Sequence, residues 1–130
     1  MINIVDDILI IIGACIIFMW GVAHIVPIKS VVRGFGDISQ DSKLIITMEW
    51  IAEGLSLCFI GALVLLMVVF AGTEDATATI VYWAAAGMLL VLAILTLSTG
   101  ARTSSIPIRI CPLIKTVVAV LFILALTTFA

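Results

Sequence analysis

The sequence predicts an all-α fold, an antiparallel four-helix bundle that is integral to a membrane. Hydrophobic residues make up 65% of the chain and charged residues only 11%, whereas soluble domains are about half apolar and a quarter charged. The apolar residues fall into four long runs, and the basic residues lie near only two of the junctions between them. A soluble monomer could not cover so much apolar surface, so we expect lipid to be the solvent.

Each apolar run is long enough to cross a bilayer as a helix, because a membrane span needs about 20 residues. The four runs cover residues 8–26, 44–71, 78–99 and 113–130. A proline or glycine stands at one end of each run: Pro27, Gly72, Gly100 and Pro112. Strands do not explain runs of this length without alternation. We therefore expect residues 1–130 to form one domain of four transmembrane helices.

The second run is longer than a bilayer requires. Residues 44–71 would form about 42 Å of helix, whereas the hydrocarbon core is about 30 Å thick. We expect its first turns to lie at the membrane interface or in a pocket lined by protein. Ser39, Asp41 or Ser42 is the expected N-cap of this helix.

Small residues predict close packing of the helices. Gly54 and Gly61 lie on one face of the second helix, and residues 84–87 make the third helix narrow. Small side chains allow membrane helices to approach each other closely. We expect this packing to occur within one molecule rather than between copies.

The basic residues predict the orientation of the helices. They lie in segments 27–43 and 100–115: Lys29, Arg33, Lys43, Arg102, Arg109 and Lys115. In a four-helix topology both segments are on the same side, and the positive-inside rule makes that side cytoplasmic. We therefore expect a multi-pass protein of a plasma (inner) membrane of bacterial or archaeal type, with both termini outside.

Three ionisable residues near the cytoplasmic side require an explanation: His24, Glu49 and Glu53. The two glutamates are one turn apart and share a face of the second helix. A charge at the centre of a membrane helix costs roughly 2.5–3.5 kcal/mol. We therefore expect these side chains to face the bundle interior or a wet cavity. The expected partners at a similar depth are Trp20, Trp50 and Lys115.

Three interpretations of this cluster remain open. In the first it is structural: Glu53 pairs with Lys115, and His24 caps carbonyl groups at the end of its helix. In the second it lines a ligand pocket that opens toward the cytoplasm or the inner leaflet. In the third it binds metal or haem. A ferritin-like site would need two Glu-x-x-His motifs, which the chain lacks, and haem would need Met19 or Met48 as a second ligand.

The first of three functional hypotheses is a small membrane protein that binds an apolar or amphiphilic small molecule. Its expected site residues are His24, Glu49, Glu53, Trp20, Trp50 and Lys115. The second hypothesis is an accessory subunit of a membrane redox or transport complex. The third is a small membrane enzyme in which His24 and Glu53 transfer a proton. Membrane lipid is an expected partner in all three, as is a second copy or a partner membrane subunit. Nucleic acid is not, because the chain has no basic stripe. The sequence assigns no cofactor and no metal ligands.

The first helix contains a short pattern of glycine, aromatic and polar residues. Gly13, Phe18, Gly21 and His24 are followed by Pro27. This pattern resembles the first helix of DoxX-like proteins, which are small bacterial four-helix membrane proteins. The resemblance implies an accessory membrane subunit near quinone-linked redox enzymes. The chain lacks the usual leading arginine of that helix, and the resemblance implies no catalytic residue.

Overall fold

A computed structural model describes residues 4–128, and four long helices form most of the fold. In chain order the elements are α1 (Ile4–Ile25), α2 (Ile28–Gly34), α3 (Gln40–Phe70), α4 (Ala76–Ser98), a 3-10 helix (Gly100–Arg102) and α5 (Ile106–Thr127). Helices α1, α3, α4 and α5 are long and apolar enough to cross a membrane. They pack antiparallel to one another, which confirms the predicted fold class.

The four long helices follow the order α3, α1, α5, α4 around the bundle. The most extensive contacts are those of α1 with α3 and of α4 with α5, and α1 also packs on α5. Helices α3 and α4 are consecutive long helices in the chain, yet their contact is the least extensive of the four neighbouring pairs around the bundle. We call the space between residues 45–63 of α3 and 81–99 of α4 the α3–α4 seam. It is the least closed side of the bundle.

The two ends of the bundle differ in charge. All six lysines and arginines lie in α2, the 3-10 helix or the first half of α3 or α5. Because the helices are antiparallel, these segments meet at one end, which we call the basic end. The opposite end contains the start of α1, the end of α5 and loop 71–75, with Asp6, Asp7, Glu74 and Asp75.

The core between the helices is apolar, and so is the outer surface. Ile17, Leu57, Tyr82, Leu89 and Phe122 are fully buried within the bundle. The outward side chains of all four helices include many large exposed hydrophobic residues. Such a surface suits lipid contact, and a bundle in lipid is held together by close packing and hydrogen bonds rather than by exclusion of water.

Three glycines allow α1 and α3 to pack closely. A Cβ atom at Gly21 would lie 2.7 Å from the backbone nitrogen of Cys58 and from the carbonyl oxygen of Gly54. A Cβ atom at Gly61 would lie 2.7 Å from the carbonyl oxygen of Ala14. These positions have no room for a larger residue, which confirms that the glycines of the second predicted helix pack within the molecule.

The observed helix starts differ from the predicted ones. Helix α3 begins at Gln40, and the N-cap is Ser39, whose hydroxyl accepts a hydrogen bond from the backbone N–H of Ser42 at 3.1 Å. Helix α5 begins at Ile106, not at Leu113. The interpretation of Pro112 as a residue preceding the last helix was therefore wrong.

The early start of α5 has a local cause. Pro107 occupies its first turn, where a missing backbone N–H has no cost, and Pro112 lies inside the helix. Membrane helices tolerate an interior proline when their neighbours compensate for the lost hydrogen bond. Consequently Lys115 is not at the start of the helix but about 14 Å along it.

The short helix α2 packs against α3 at the basic end. It has no buried residue, and Phe35 follows it with its side chain 54% exposed. Gly36 then adopts a positive φ of 71°, a conformation that glycine reaches without strain. This turn leads the chain back into α3 and leaves Phe35 beside the first turns of that helix.

We predict that Gly21→Ala lowers the free energy of unfolding by about 1–3 kcal/mol, because the added methyl group would push α1 away from α3. Gly87→Ala is the matched control, since a Cβ atom there would meet no atom within 4 Å. The control should leave stability unchanged or raise it by up to about 1 kcal/mol, because alanine favours helix. Thermal unfolding in detergent would measure both, and equal midpoints would contradict the packing argument.

Candidate functional site

Side chains from all four long helices meet in one polar network near the basic end. Glu53 of α3 accepts a hydrogen bond from the ammonium group of Lys115 on α5 through Oε1. The other carboxylate oxygen, Oε2, lies 3.4 Å from Nε2 of His24 on α1. Lys115 Nζ also donates to the hydroxyl of Thr96 on α4 at 2.7 Å. The network therefore connects α1, α3, α4 and α5.

Lys115 is the most deeply buried charge of the network. Its side chain is 0% exposed, whereas that of Glu53 is 30% exposed. The Thr96 hydroxyl donates to the carbonyl oxygen of Leu92 at 2.8 Å, so its lone pairs remain available to the ammonium group. A buried charge is tolerated only with such partners. Lys115 therefore fixes Glu53 from the interior side, and the exposed part of the carboxylate faces outward.

His24 is held by Trp50 as well as by its position on α1. The two rings are stacked, with centroids 4.2 Å apart and an angle of 11° between their planes. The Trp50 indole N–H donates to the backbone carbonyl of His24 at 2.5 Å, which satisfies an acceptor at the end of α1. The imidazole thus faces Glu53, and the expectation that it caps carbonyl groups at the end of its helix was wrong.

A cavity of about 510 Å³ lies at the basic end of the α3–α4 seam. The ionisable residues in its wall are His24, Glu49 and Glu53. The rest of the wall is mainly apolar and comes from α3, α4, the start of α5 and Phe35. Glu49 is exposed and forms no hydrogen bond or ion pair with any residue from 4 to 128. The cavity thus combines apolar walls with a free carboxylate and a paired one.

The structure separates the six residues that the sequence analysis grouped. His24, Glu49, Trp50 and Glu53 line the cavity, and Lys115 lies behind Glu53 without reaching the cavity wall. Trp20 lies elsewhere. Its indole N–H donates to the sulfur of Cys111 at 3.4 Å. It lines a neighbouring cavity of about 370 Å³, to which His24 and Trp50 also contribute.

Among the residues of the cavity wall that sequence reasoning missed are Phe35 and Cys111. Phe35 follows α2, and the chain turn at Gly36 leaves it beside α3. Cys111 lies in the stretch that was assigned to a loop because Pro112 follows it. The cue for Phe35 was its place in a loop among apolar residues, whereas no sequence cue identified Cys111.

The metal and haem interpretation has no geometric support in residues 4–128. In that part of the chain no three His, Cys, Asp or Glu side chains lie together in a metal-binding arrangement. The side chains of Met19 and Met48 are 63% and 59% exposed on the outside of the bundle. Neither belongs to the wall of the cavity that contains His24.

A second polar cluster joins chain segments at the opposite end. Asp6 is only 1% exposed, and its Oδ1 accepts a hydrogen bond from the Thr128 hydroxyl at 2.5 Å. Asp7 accepts one from the hydroxyl of Thr73 in the loop before α4. These bonds connect α1 to the end of α5 and to loop 71–75.

Comparison of the chain with family models, with curated proteins and with solved structures gives no match.

We predict that Glu53→Gln lowers the free energy of unfolding by about 3–5 kcal/mol, because it leaves Lys115 as a buried charge without its counter-ion. Lys115→Met should cost less, about 1–3 kcal/mol, because the partly exposed Glu53 can reach water. The double variant should lose less than the sum of the two single variants. Denaturant titration in detergent micelles would measure all three, and additive losses would show that the pair is not coupled.

Proposed function

We propose that this protein binds an amphiphilic small molecule in the cavity at the basic end of the α3–α4 seam, and that it carries or senses that molecule. The observation that supports this most is the cavity itself. Its volume of about 510 Å³ lies within the range of small-molecule sites, about 300–1,000 Å³. Such sites have mainly apolar walls with a few convergent polar groups. Here the convergent ionisable groups are those of His24, Glu49 and Glu53.

The polar side chains of the site are held in place by the protein itself, which supports a role in binding. Trp50 holds the imidazole of His24, and Lys115 holds one oxygen of Glu53. The side chains are thus fixed by neighbours that do not depend on a ligand. A preformed site loses less conformational entropy when a ligand binds.

We also propose that the basic end faces the cytoplasm and that both termini are outside a plasma (inner) membrane. The antiparallel helices place all six basic residues at one end, and the positive-inside rule assigns that end to the cytoplasm. In this orientation the cavity would open toward the cytoplasm or the inner leaflet.

The orientation predicts that Gly34→Cys and Arg102→Cys react with a membrane-impermeant maleimide only from the cytoplasmic side. Glu74→Cys, in the loop at the opposite end, should react only from outside. All three positions are exposed, and a Cβ atom at Gly34 would meet no atom within 4 Å. The unmodified chain gives the background from its own cysteines. Labelling of positions 34 and 102 on intact cells would contradict this orientation and show that the basic end faces outward.

A second candidate function is proton transfer on a bound apolar substrate. It is favoured by the distance of 3.4 Å between His24 Nε2 and Glu53 Oε2 in the cavity wall. A histidine and a carboxylate at this separation can act as an acid–base pair when a substrate brings them into hydrogen-bond reach. The ion pair with Lys115 is less favourable for this role, because it stabilises the charged form of Glu53.

The resemblance to DoxX-like proteins supports a third function, that of an accessory membrane subunit. Helix packing alone explains two residues of the pattern on which this resemblance rests, Gly13 and Gly21. A Cβ atom at Gly13 would lie 2.8 Å from the ring of Phe122, and Gly21 packs against α3. The glycines are thus accounted for by helix packing, whereas His24 remains as the polar residue shared with that pattern. We rank this function below ligand binding.

We predict that a small molecule copurifies with the gently extracted protein and is lost from Glu49→Gln and Glu53→Gln. Glu49→Gln is the cleaner variant, because Glu49 is exposed and supports no other side chain. Glu74→Gln, at the opposite end, is the control and should retain the molecule. Native mass spectrometry would detect the bound mass. A bare protein in all four samples would favour a purely structural role of the network.

A further inference from the structure

The charged side chains of the cavity wall are hydrogen-bond acceptors, and the hydroxyl groups in the wall already donate to backbone carbonyl groups: those of Ser56, Thr96, Thr99 and Thr103. The carboxylates of Glu49 and Glu53 can only accept hydrogen bonds when they are ionised. His24 is nine-tenths buried, and its Nε2 forms no hydrogen bond within the described residues 4–128. This nitrogen lies 3.4 Å from Glu53 Oε2, so the acceptors that are open to a ligand are the carboxylate oxygens. A ligand that fits these groups must supply N–H or O–H donors.

The charge of the cavity favours a cation over a neutral donor. Lys115 neutralises Glu53 from the interior, and it does not line the cavity. No other lysine or arginine contributes to the wall, although all six lie at this end of the bundle. Glu49 therefore leaves one negative charge uncompensated by any cation in residues 4–128. The aromatic rings of Trp50 and Phe35 in the wall add cation–π attraction.

The α3–α4 seam continues from this cavity as an apolar groove. A second space of about 520 Å³ lies between Leu55, Phe59 and Leu63 of α3 and Val81, Ala84 and Met88 of α4. Ser56 borders both spaces, so they are neighbours along the seam. Residues 49–63 correspond to about 21 Å of helix, which is longer than an extended chain of twelve carbons. The seam therefore has a charged end and an apolar length.

From this juxtaposition we infer that the site takes an amphiphile with a cationic amine headgroup and a single alkyl chain. The ammonium group lies between Glu49 and Glu53 beside His24, and the chain lies along the α3–α4 seam. This inference rests on the proposed function and specifies its ligand class. An anionic amphiphile is disfavoured, because its headgroup would meet Glu49 without a basic residue in the wall.

Three probes of equal chain length test the headgroup: dodecylamine, dodecanol and dodecanoate. Isothermal titration calorimetry of the full chain in a non-ionic detergent should show saturable binding that is tightest for dodecylamine. Glu49→Gln should weaken dodecylamine binding about tenfold, the loss of one charge-assisted contact, and should leave dodecanol binding unchanged. Glu74→Gln is the control and should bind all three probes like the unmodified protein.

A second pair of variants tests the position of the chain. Ala84→Phe fills the apolar part of the seam from an exposed position and should weaken dodecylamine binding about tenfold. Leu97→Phe, on the other side of α4 and outside both spaces, should have no effect. If the three probes bind equally and Ala84→Phe weakens all of them, the amphiphile site is supported but the preference for a cationic headgroup is overturned. No saturable binding of any probe would overturn the proposed function as well.

Discussion

The ion pair between Lys115 and Glu53 is the constraint on which the rest of this structure depends. A lysine ammonium group that is 0% exposed in an apolar bundle requires a counter-ion, and the hydroxyl of Thr96 satisfies a further donor. The pair joins α3 to α5, which do not lie next to each other around the bundle, and the contacts to Thr96 and His24 add the other two helices. In lipid, where apolar burial gives no driving force between helices, such contacts set the arrangement of helices together with close packing.

Close packing on one side of the bundle leaves space on the other. Gly21, Gly54 and Gly61 bring α1 and α3 into backbone contact. Helix α3 is thereby held against α1, and α4 is held against α5. The α3–α4 seam is left less closed. Glu53 uses one carboxylate oxygen for Lys115, and its other oxygen faces the space at the basic end of the seam. The cavity follows from the helix arrangement and does not depend on a specialised loop.

The sequence predicted the four helices, their antiparallel order and the common depth of His24, Glu49 and Glu53, because length, hydropathy and helix direction determine these features. It also suggested the pairing of Glu53 with Lys115. It did not predict that α5 starts at Ile106, since a proline is a stronger signal for a helix start than for a helix interior. It did not separate Trp20 from the cavity either. Trp20 and His24 are one turn apart, but Trp20 donates a hydrogen bond to Cys111 and lines the neighbouring cavity instead. Contacts between helices that are distant in sequence determine this arrangement.

One carboxylate therefore contributes to both the stability of the bundle and the chemistry of the cavity. Glu53 uses one oxygen for Lys115 and directs the other toward His24 and the cavity. A ligand cation near Glu53 would compete with Lys115 for the same charge, and this competition would weaken the contact between α3 and α5. Glu49 has no such second role, because it is exposed and supports no neighbour. In the proposed site, an ammonium group that pairs with Glu49 and contacts Glu53 only through Oε2 would leave the ion pair between Glu53 Oε1 and Lys115 intact. In the proposed site Glu53 would therefore contribute to both binding and support, whereas Glu49, one turn away, would contribute to binding alone.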